Sequence, residues 1–145
     1  MLKLSRLTDY AVAALVRLSA AEGMETSPGI ACAIGVPEPT VAKVLKILAS
    51  QGLVVSTRGA RGGYRLGRTL ADITVAEIIV AIDGPIALTS CVDGASGACE
   101  SQMLCPVAGR WDPVNAAIRG ALQNITLADM AQAALPPGLR LSEVA

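Results

Sequence analysis

The sequence contains no histidine and no phenylalanine, and its aromatic residues are one Trp and two Tyr. Without histidine, a zinc site of mixed cysteine and histidine ligands is excluded. Apolar residues make up 52% of the chain, much of it alanine, so the core is built from many small side chains. Such a composition favours helix-on-helix packing over a sheet sandwich.

Long hydrophobic segments are also missing. The apolar run from Tyr10 to Val16 is bounded by Asp9 and Arg17 and is too short for a secretory signal. No segment approaches the roughly 20 apolar residues of a membrane span. We therefore expect a cytoplasmic protein with no membrane partner. In that compartment the four cysteines are reduced thiols or metal ligands rather than disulfides.

The net charge is zero, but the charge is unevenly distributed. Residues 1–70 carry nine Lys and Arg against four Asp and Glu, whereas residues 71–145 carry three against eight. The first half is thus +5 and the second −5. Such a dipolar chain directs its basic half towards a polyanion such as DNA.

The basic half has the pattern of a helix-turn-helix. Apolar residues at helical spacing predict helices over 7–22, 27–34 and 39–51, with Ser27 as the N-cap of the second. The third helix has a buried apolar stripe, and Thr40, Lys43 and Lys46 lie largely off it and face outward. Two helices joined by a short glycine-containing turn, the second presenting Thr and Lys, are typical of DNA-binding proteins.

A β-hairpin wing is predicted after the third helix. Residues 53–55 and 64–66 are short strand-forming runs, and the glycine-rich turn between them carries Arg58 and Arg61. Glycines supply positive φ angles there, and arginines reach phosphate or a minor groove. The alternative is a solvated surface hairpin. A nucleotide-binding loop is disfavoured because neither glycine motif of such loops is present.

The acidic half is predicted to contain a fourth helix over 74–82, a cysteine loop and a long amphipathic helix over 107–124. The stripe of that last helix includes Val107, Trp111 and Val114. Its length calls for a covering surface, which a second subunit provides, although packing against the chain's own first helix is an alternative. A short helix follows Thr126.

These elements predict a mainly α fold with a small β-hairpin wing, namely a winged helix-turn-helix with a long dimerisation helix. We assign residues 1–84 to the DNA-binding domain and 85–106 to the cysteine-rich loop. Residues 107–134 form the dimerisation helix with the short C-terminal helix, and 135–145 form a flexible tail.

Three of the four cysteines, Cys91, Cys99 and Cys105, lie in one loop rich in small residues. Thiolates bind both zinc and iron–sulfur clusters, but three of them leave either site one ligand short. The spacing therefore leaves a cluster, zinc and redox-active or plain thiols open. The fourth, Cys32, is expected to be a small half-buried thiol in the second helix.

An enzyme is the least supported class. A thiol oxidoreductase requires a Cys-x-x-Cys pair beside a strand–helix turn, and this sequence has no such pair. A purely structural nucleoid protein is also disfavoured, because it has no use for a loop carrying three cysteines.

Three motifs in order, residues 4–11, the wing segment 59–64 and the three-cysteine loop, resemble the Rrf-two family of winged-helix regulators. That family includes the iron–sulfur and nitric-oxide sensors IscR, NsrR and RirA. The match runs over roughly residues 1–125. Within the family, segments 37–43 and 109–115 are similar to the branch that regulates the SUF cluster-assembly operon.

The resemblance implies a homodimer in which the long helix of 107–124 crosses between subunits. It also implies an iron–sulfur cluster on Cys91, Cys99 and Cys105. Double-stranded operator DNA is the implied partner. Its contacts would come from the third helix and the wing: Thr40, Lys43 and Lys46 in a major groove, and Arg58, Arg61 and Arg65 at the wing.

One departure from the family pattern concerns the fourth cluster ligand. IscR-type members complete a 2Fe–2S site with a histidine three residues after the third cysteine, and Ala108 stands there. Asp9 stands where NsrR-type members supply an aspartate from the partner's first helix to a 4Fe–4S cluster. The resemblance thus favours 4Fe–4S over 2Fe–2S. Glu100, Asp93 and a small exogenous thiol are alternative ligands, and Asp9 is also explained as an acid that stabilises its helix.

The resemblance implies a repressor of cluster-assembly genes that acts when it is cluster-bound and is relieved when iron or clusters are scarce. The alternative is a winged-helix regulator that senses nitric oxide or redox state through the same cysteines.

Overall fold

The computed structural model describes residues 3–92, 95, 99–101 and 103–132. Over these residues the chain is mainly helical with one two-stranded antiparallel hairpin, as the sequence predicts. The elements in order are α1 (Arg6–Ala20), α2 (Ser27–Ile34), α3 (Glu38–Ser50), β1 (Val54–Thr57), β2 (Gly63–Leu66), a 3₁₀ turn (Leu70–Asp72), α4 (Val75–Asp83), α5 (Asp112–Asn124) and α6 (Leu127–Ala131).

The core lies where α1, α3 and α4 pack against one another, with α2 across α1 and α3. Apart from Thr8, the largest of its fully buried side chains are aliphatic. They include Leu15 of α1, Ile30 of α2, Leu45 of α3 and Ile78 of α4. The predicted stripe of α3 is confirmed, since all four of its residues are buried: Val41, Val44, Leu45 and Leu48.

Side-chain caps determine where several helices begin. The hydroxyl of Thr26 accepts a hydrogen bond from the backbone N–H of Gly29, so Thr26 is the N-cap of α2. The prediction of Ser27 as that cap was wrong by one residue. Thr74 caps α4 in a capping box with Glu77, whose carboxylate accepts a bond from the N–H of Thr74. Each cap satisfies a helix-end N–H that has no partner within the helix.

The long helix predicted over 107–124 is shorter in the structure, because α5 begins at Asp112. Two residues explain the difference. Pro113 has no N–H to continue a helix backwards, and Gly109 has a φ of +73°, which ends any helical path before it. Val107 and Trp111 therefore lie in the turns leading to α5 rather than in the helix.

The chain after α5 returns to the winged-helix core. Thr126 forms a bridge with Thr74, and the N–H of Leu127 donates to the carbonyl of Ile73 at 2.9 Å. Leu127 is fully buried, and Leu122 of α5 packs against the core. Part of the apolar stripe thus packs within the chain, and α5 contacts mainly α4, whereas the alternative to a covering subunit expects α1. The predicted flexible tail over 135–145 lies outside the described residues.

None of the helices in the described part of the chain is both long and apolar enough to cross a bilayer.

Candidate DNA-binding surface and cysteine loop

The α2–turn–α3 unit has the geometry of a helix-turn-helix. Gly35 ends α2 in the left-handed conformation, with a φ of +70°, and the chain turns through Val36 and Pro37 into α3. A residue with a side chain is strained at such a φ, so this glycine is needed for the turn. On α3, Lys43 and Lys46 are exposed and Thr40 is half-buried at the edge of the same surface.

The wing is a hairpin in which Val54 pairs with Leu66 and Thr57 with Gly63. Arg58 and Arg61 are exposed in its turn, and Arg65 is exposed on β2. The predicted hairpin is therefore confirmed, with β1 running two residues further than expected.

The wing is attached to the segment between α1 and α2. Tyr64 and Glu25 exchange two backbone hydrogen bonds, of 2.7 and 2.9 Å. The backbones approach so closely that a Cβ on Gly63 would lie 2.6 Å from the carbonyl oxygen of Glu25. The wing is thus held at a fixed angle to the helix-turn-helix.

The five predicted DNA-contacting cations are available for phosphate. Among the described residues, the two ion pairs join Arg17 to Glu25 and Arg68 to Glu77. Neither pair uses Lys43 or Lys46 of α3, or the three wing arginines. Cations that have no carboxylate partner retain their charge for the DNA backbone, where phosphate contacts supply most of the non-specific affinity.

The three loop cysteines are half-buried, and each has a free thiol. Thr89 Oγ1 lies 3.1 Å from the Sγ of Cys91, a hydrogen-bonding distance. Within the described part of a single chain, no three Cys, His, Asp or Glu side chains come close enough to hold a metal ion. The thiols are therefore in one loop but not gathered at one point.

The fourth cysteine, Cys32, is exposed, so the prediction of a half-buried thiol was wrong. In α2 the buried residues are Ile30 and Ala31. Cys32 lies one step further around this short helix, beyond the side that meets the core.

The start of the cysteine loop is fastened to α5 by Asn115, which is 2% exposed. Its side-chain oxygen accepts a hydrogen bond from the N–H of Leu88 at 2.9 Å, and its amide nitrogen donates to the carbonyl of Ile86 at 3.1 Å. One side chain thus satisfies both a donor and an acceptor of the loop backbone. This role is not predictable from the sequence, because nothing local marks an asparagine whose partners are 27 and 29 residues away.

Asp9 is exposed in the first turn of α1, as its helical spacing predicts. It borders a pocket of about 350 Å³ whose apolar lining includes Leu4, Val12 and Met130. Leu4 and Met130 are themselves exposed large hydrophobic residues. The alternative ligand Glu100 is exposed, and the alternative ligand Asp93 lies outside the described residues.

Exposed apolar side chains also occur around the cysteine loop and α5. Met103 and Leu104, immediately before Cys105, are 97% and 93% exposed, and Trp111 and Val114 are each 42% exposed. Large exposed apolar patches are characteristic of interaction surfaces, so these four residues are candidates for one.

Comparison with known proteins identifies the family. The sequence model of Rrf2, described as an iron-dependent transcriptional regulator, matches residues 4–133. The chain belongs to the Rrf2 family. The Rrf-two resemblance noted in the sequence is thereby confirmed, and the chain is a DNA-binding transcriptional regulator and not an enzyme.

Individual Rrf2 relatives agree with this assignment. The chain is 35% identical over 130 residues to the transcriptional regulator IscR of Serratia proteamaculans, covering 86% of this chain and 78% of the relative. Among solved structures, IscR of T. potens matches with a TM-score of 0.66 and 32% identity, over 94% of this chain and 95% of that one. The global cysteine regulator CymR of B. subtilis matches with a TM-score of 0.73 and 29% identity, over 93% and 100%.

The Rrf2 fold therefore accounts for the winged helix-turn-helix. The similar solved structures include both an IscR and a global cysteine regulator.

Proposed function

We propose that this Rrf2-family chain is a homodimeric, cytoplasmic, iron–sulfur-sensing repressor of SUF cluster-assembly genes, active when cluster-bound. The observation that carries the proposal is the set of three free, half-buried thiols, Cys91, Cys99 and Cys105, on one loop fastened to α5. The two SUF-like segments, 37–43 and 109–115, support the choice of target genes.

The donor set has the chemistry of an iron–sulfur site. Thiolates are the usual ligands of such clusters, and a chain without histidine has no imidazole to add. We assign the three loop thiolates and the partner subunit's Asp9 as ligands, which favours 4Fe–4S. When bound, the cluster supplies a centre that responds to iron supply, oxygen or nitric oxide.

The exposed apolar groups support the assignment of a ligand across a dimer interface. Met103 and Leu104 directly precede Cys105 in the sequence, and both side chains are almost fully exposed. Asp9 borders an apolar pocket that contains Leu4 and Met130. Apolar side chains beside the thiols and an apolar pocket beside the carboxylate are complementary surfaces for two copies of this chain.

The loop and α5 then connect sensing to DNA contact. A loop held at its three thiolates and at Asn115 fixes α5, and α5 sets the separation of the two α3 helices in the dimer. Two recognition helices reach successive major grooves only at a spacing of about 34–36 Å. A released loop shifts the population towards dimers with another spacing and a lower DNA affinity.

Anaerobic purification tests the proposal. The visible absorption spectrum and native mass are measured for the wild type, for Asp9→Ala, and for Glu22→Ala as a control that removes an exposed carboxylate just after α1. We expect a coloured dimer for the wild type and Glu22→Ala, and a cluster that is lost several times faster from Asp9→Ala. A colourless protein containing zinc contradicts the proposal.

Operator binding by apo and reconstituted protein tests the direction of regulation. We expect the reconstituted form to bind at least tenfold more tightly. Equal affinities contradict sensing through a cluster. A response to nitric oxide or oxidants with no response to iron limitation supports the alternative, a redox regulator that uses the same thiols.

A further inference from the structure

The first residues of the two helix-turn-helix helices are joined to each other. Ser27 begins α2 and Glu38 begins α3, and the hydroxyl of Ser27 donates a hydrogen bond of 2.5 Å to Oε1 of Glu38. Glu38 is exposed, whereas Ser27 is half-buried. The carboxylate at the leading end of α3 is therefore oriented by the neighbouring helix.

Helix capping does not account for this pair. An acidic residue in a first turn stabilises its helix through the helix dipole, but this effect requires no partner. The N-terminus of α2 is already capped by Thr26, so Ser27 is not needed as a cap. Its hydroxyl instead donates a hydrogen bond to Glu38. The pair therefore points to a function that depends on the orientation of that carboxylate.

A carboxylate at this position is unfavourable near DNA unless it meets a hydrogen-bond donor. The outer surface of α3 carries Lys43 and Lys46, whose positive charges attract DNA phosphates. The carboxylate of Glu38 is repelled by the same phosphates. An ionised carboxylate only accepts hydrogen bonds. In the major groove, guanine presents two acceptors and thymine an acceptor and a methyl group. Adenine places an acceptor beside its amino group, and cytosine presents its N4 amino group as a donor.

We propose that Glu38 is a specificity-determining residue that accepts a hydrogen bond from the N4 amino group of a cytosine in each half-site. Ser27 acts as a positioning residue that directs the carboxylate to it. The other bases are rejected because they leave the carboxylate without a donor, or facing an acceptor, in a field of phosphates. This proposal rests on α3 being the helix that reads the major groove.

In vitro selection from a randomised duplex library, with sequencing, tests the proposal on the full-length protein in both apo and reconstituted forms. We expect the wild type to prefer cytosine about tenfold at one position of each half-site. Glu38→Ala abolishes that preference and leaves the other positions unchanged. Glu38→Gln shifts the preference to adenine, because a glutamine amide matches the donor and acceptor of adenine.

The positioning role has its own readout. Ser27→Ala is expected to reduce the discrimination at that position several-fold with cytosine still preferred, and Ser27→Thr to restore it. Glu22→Gln, which neutralises an exposed glutamate outside the helix-turn-helix, serves as the control with wild-type preferences. Circular dichroism of each variant verifies that the helices are intact.

A wild type with no cytosine-specific position overturns the proposal, and so does a Glu38→Ala protein with unchanged preferences. Other failures give different results. If α3 does not contact DNA, Lys43→Ala combined with Lys46→Ala leaves the affinity unchanged. If cluster sensing is wrong, apo and reconstituted proteins bind equally while the effect of Glu38 persists.

Discussion

The hydroxyl of Thr8 donates a hydrogen bond of 2.7 Å to Oδ2 of Asp83, joining the first turn of α1 to the last residue of α4. The N–H of Ser5, the N-cap of α1, lies 3.4 Å from the same oxygen. Asp9 follows Thr8 in sequence, and the segment leading to the cysteine loop follows Asp83. This contact therefore fixes the position of Asp9, the ligand proposed for the other subunit's cluster, relative to the start of the cysteine loop in its own chain.

The Thr8–Asp83 contact predicts a pH-dependent contribution to stability. Partial burial raises the pKa of Asp83, but hydrogen bonds from Ser5 and Thr8 outweigh it and hold the pKa below its usual value of 3.8. Because the folded state favours the charged form, the stabilisation is present above pH 3.8 and is lost as the pH falls further. We expect Thr8→Val to lower the free energy of unfolding by about 1 kcal/mol at pH 7, and by less at pH 3.

Urea unfolding of the apo protein at the two pH values measures this difference. Thr8→Ser keeps the hydroxyl and serves as the control with near wild-type pH dependence. A loss for Thr8→Val that is the same at pH 7 and pH 3 contradicts the assigned role of Asp83.

Asn115→Ala is expected to destabilise the protein by about 1–3 kcal/mol, because it leaves the N–H of Leu88 without its side-chain acceptor and removes one of two donors to the carbonyl of Ile86, the other being Arg119 at 3.4 Å. It should also loosen the chain towards Cys91. Hydrogen exchange of the peptide over 86–91 reports the loosening directly. Asn124→Ala, at the exposed end of α5, is the matched control, and equal exchange in the two variants argues against fastening by Asn115.

Thr89→Val is expected to lower the reduction potential of the reconstituted protein. Thr89 Oγ1 and Cys91 Sγ lie 3.1 Å apart, and either can donate. A thiolate has no proton, so in the proposed cluster-bound form the hydroxyl of Thr89 is the donor. That bond favours the more electron-rich reduced state, and valine removes the donor at nearly constant shape. Thr89→Ser should retain the wild-type potential. Redox titration followed by absorption spectroscopy checks both, and identical potentials in all three proteins would show that the hydroxyl does not act on the sulfur.

Val114→Glu is expected to dissociate the proposed dimer, since it places a charge on the exposed apolar surface beside Trp111. Sedimentation equilibrium measures the loss of dimer mass. Trp111 is the single tryptophan, so its emission should also shift to the red as it becomes hydrated. Ala116→Glu adds the same charge at an exposed position on the opposite side of α5 and should leave the dimer intact. Dissociation by both variants points to a nonspecific charge effect.

Gly63→Ala is expected to weaken both folding and DNA binding. Gly63 has a φ of +150°, and a Cβ there would lie 2.6 Å from the carbonyl oxygen of Glu25. The wing must shift to relieve this contact, at a cost above about 1 kcal/mol. Gly23→Ala, where a Cβ meets nothing within 4 Å, is the control. Thermal unfolding and binding to mixed-sequence duplex DNA measure the two effects, and equal behaviour of the two variants contradicts the role of Gly63.

Much of the winged helix-turn-helix is predictable from single residues. Pro28 and Gly35 bracket α2, Thr74 begins α4, and the stripe of α3 is buried as its spacing predicts. The errors occur where neighbouring residues compete for a role. Thr26 caps α2 instead of Ser27, and Pro113 with Gly109 shortens the long helix despite an apolar pattern that continues to Val107.

The features of the candidate site likewise fall into those that the sequence predicts and those that only the fold creates. The sequence by itself determined the thiols, the absence of histidine, the basic residues of α3 and the wing, and the start of α4 at Thr74. All of these depend on residue types or on spacings of three or four residues along the chain. Only the tertiary structure decided that Thr8 meets Asp83, that Asn115 holds Ile86 and Leu88, and that Ser27 orients Glu38. These hydrogen bonds join residues 11 to 75 positions apart, and such pairs meet only after burial of the core brings their helices together.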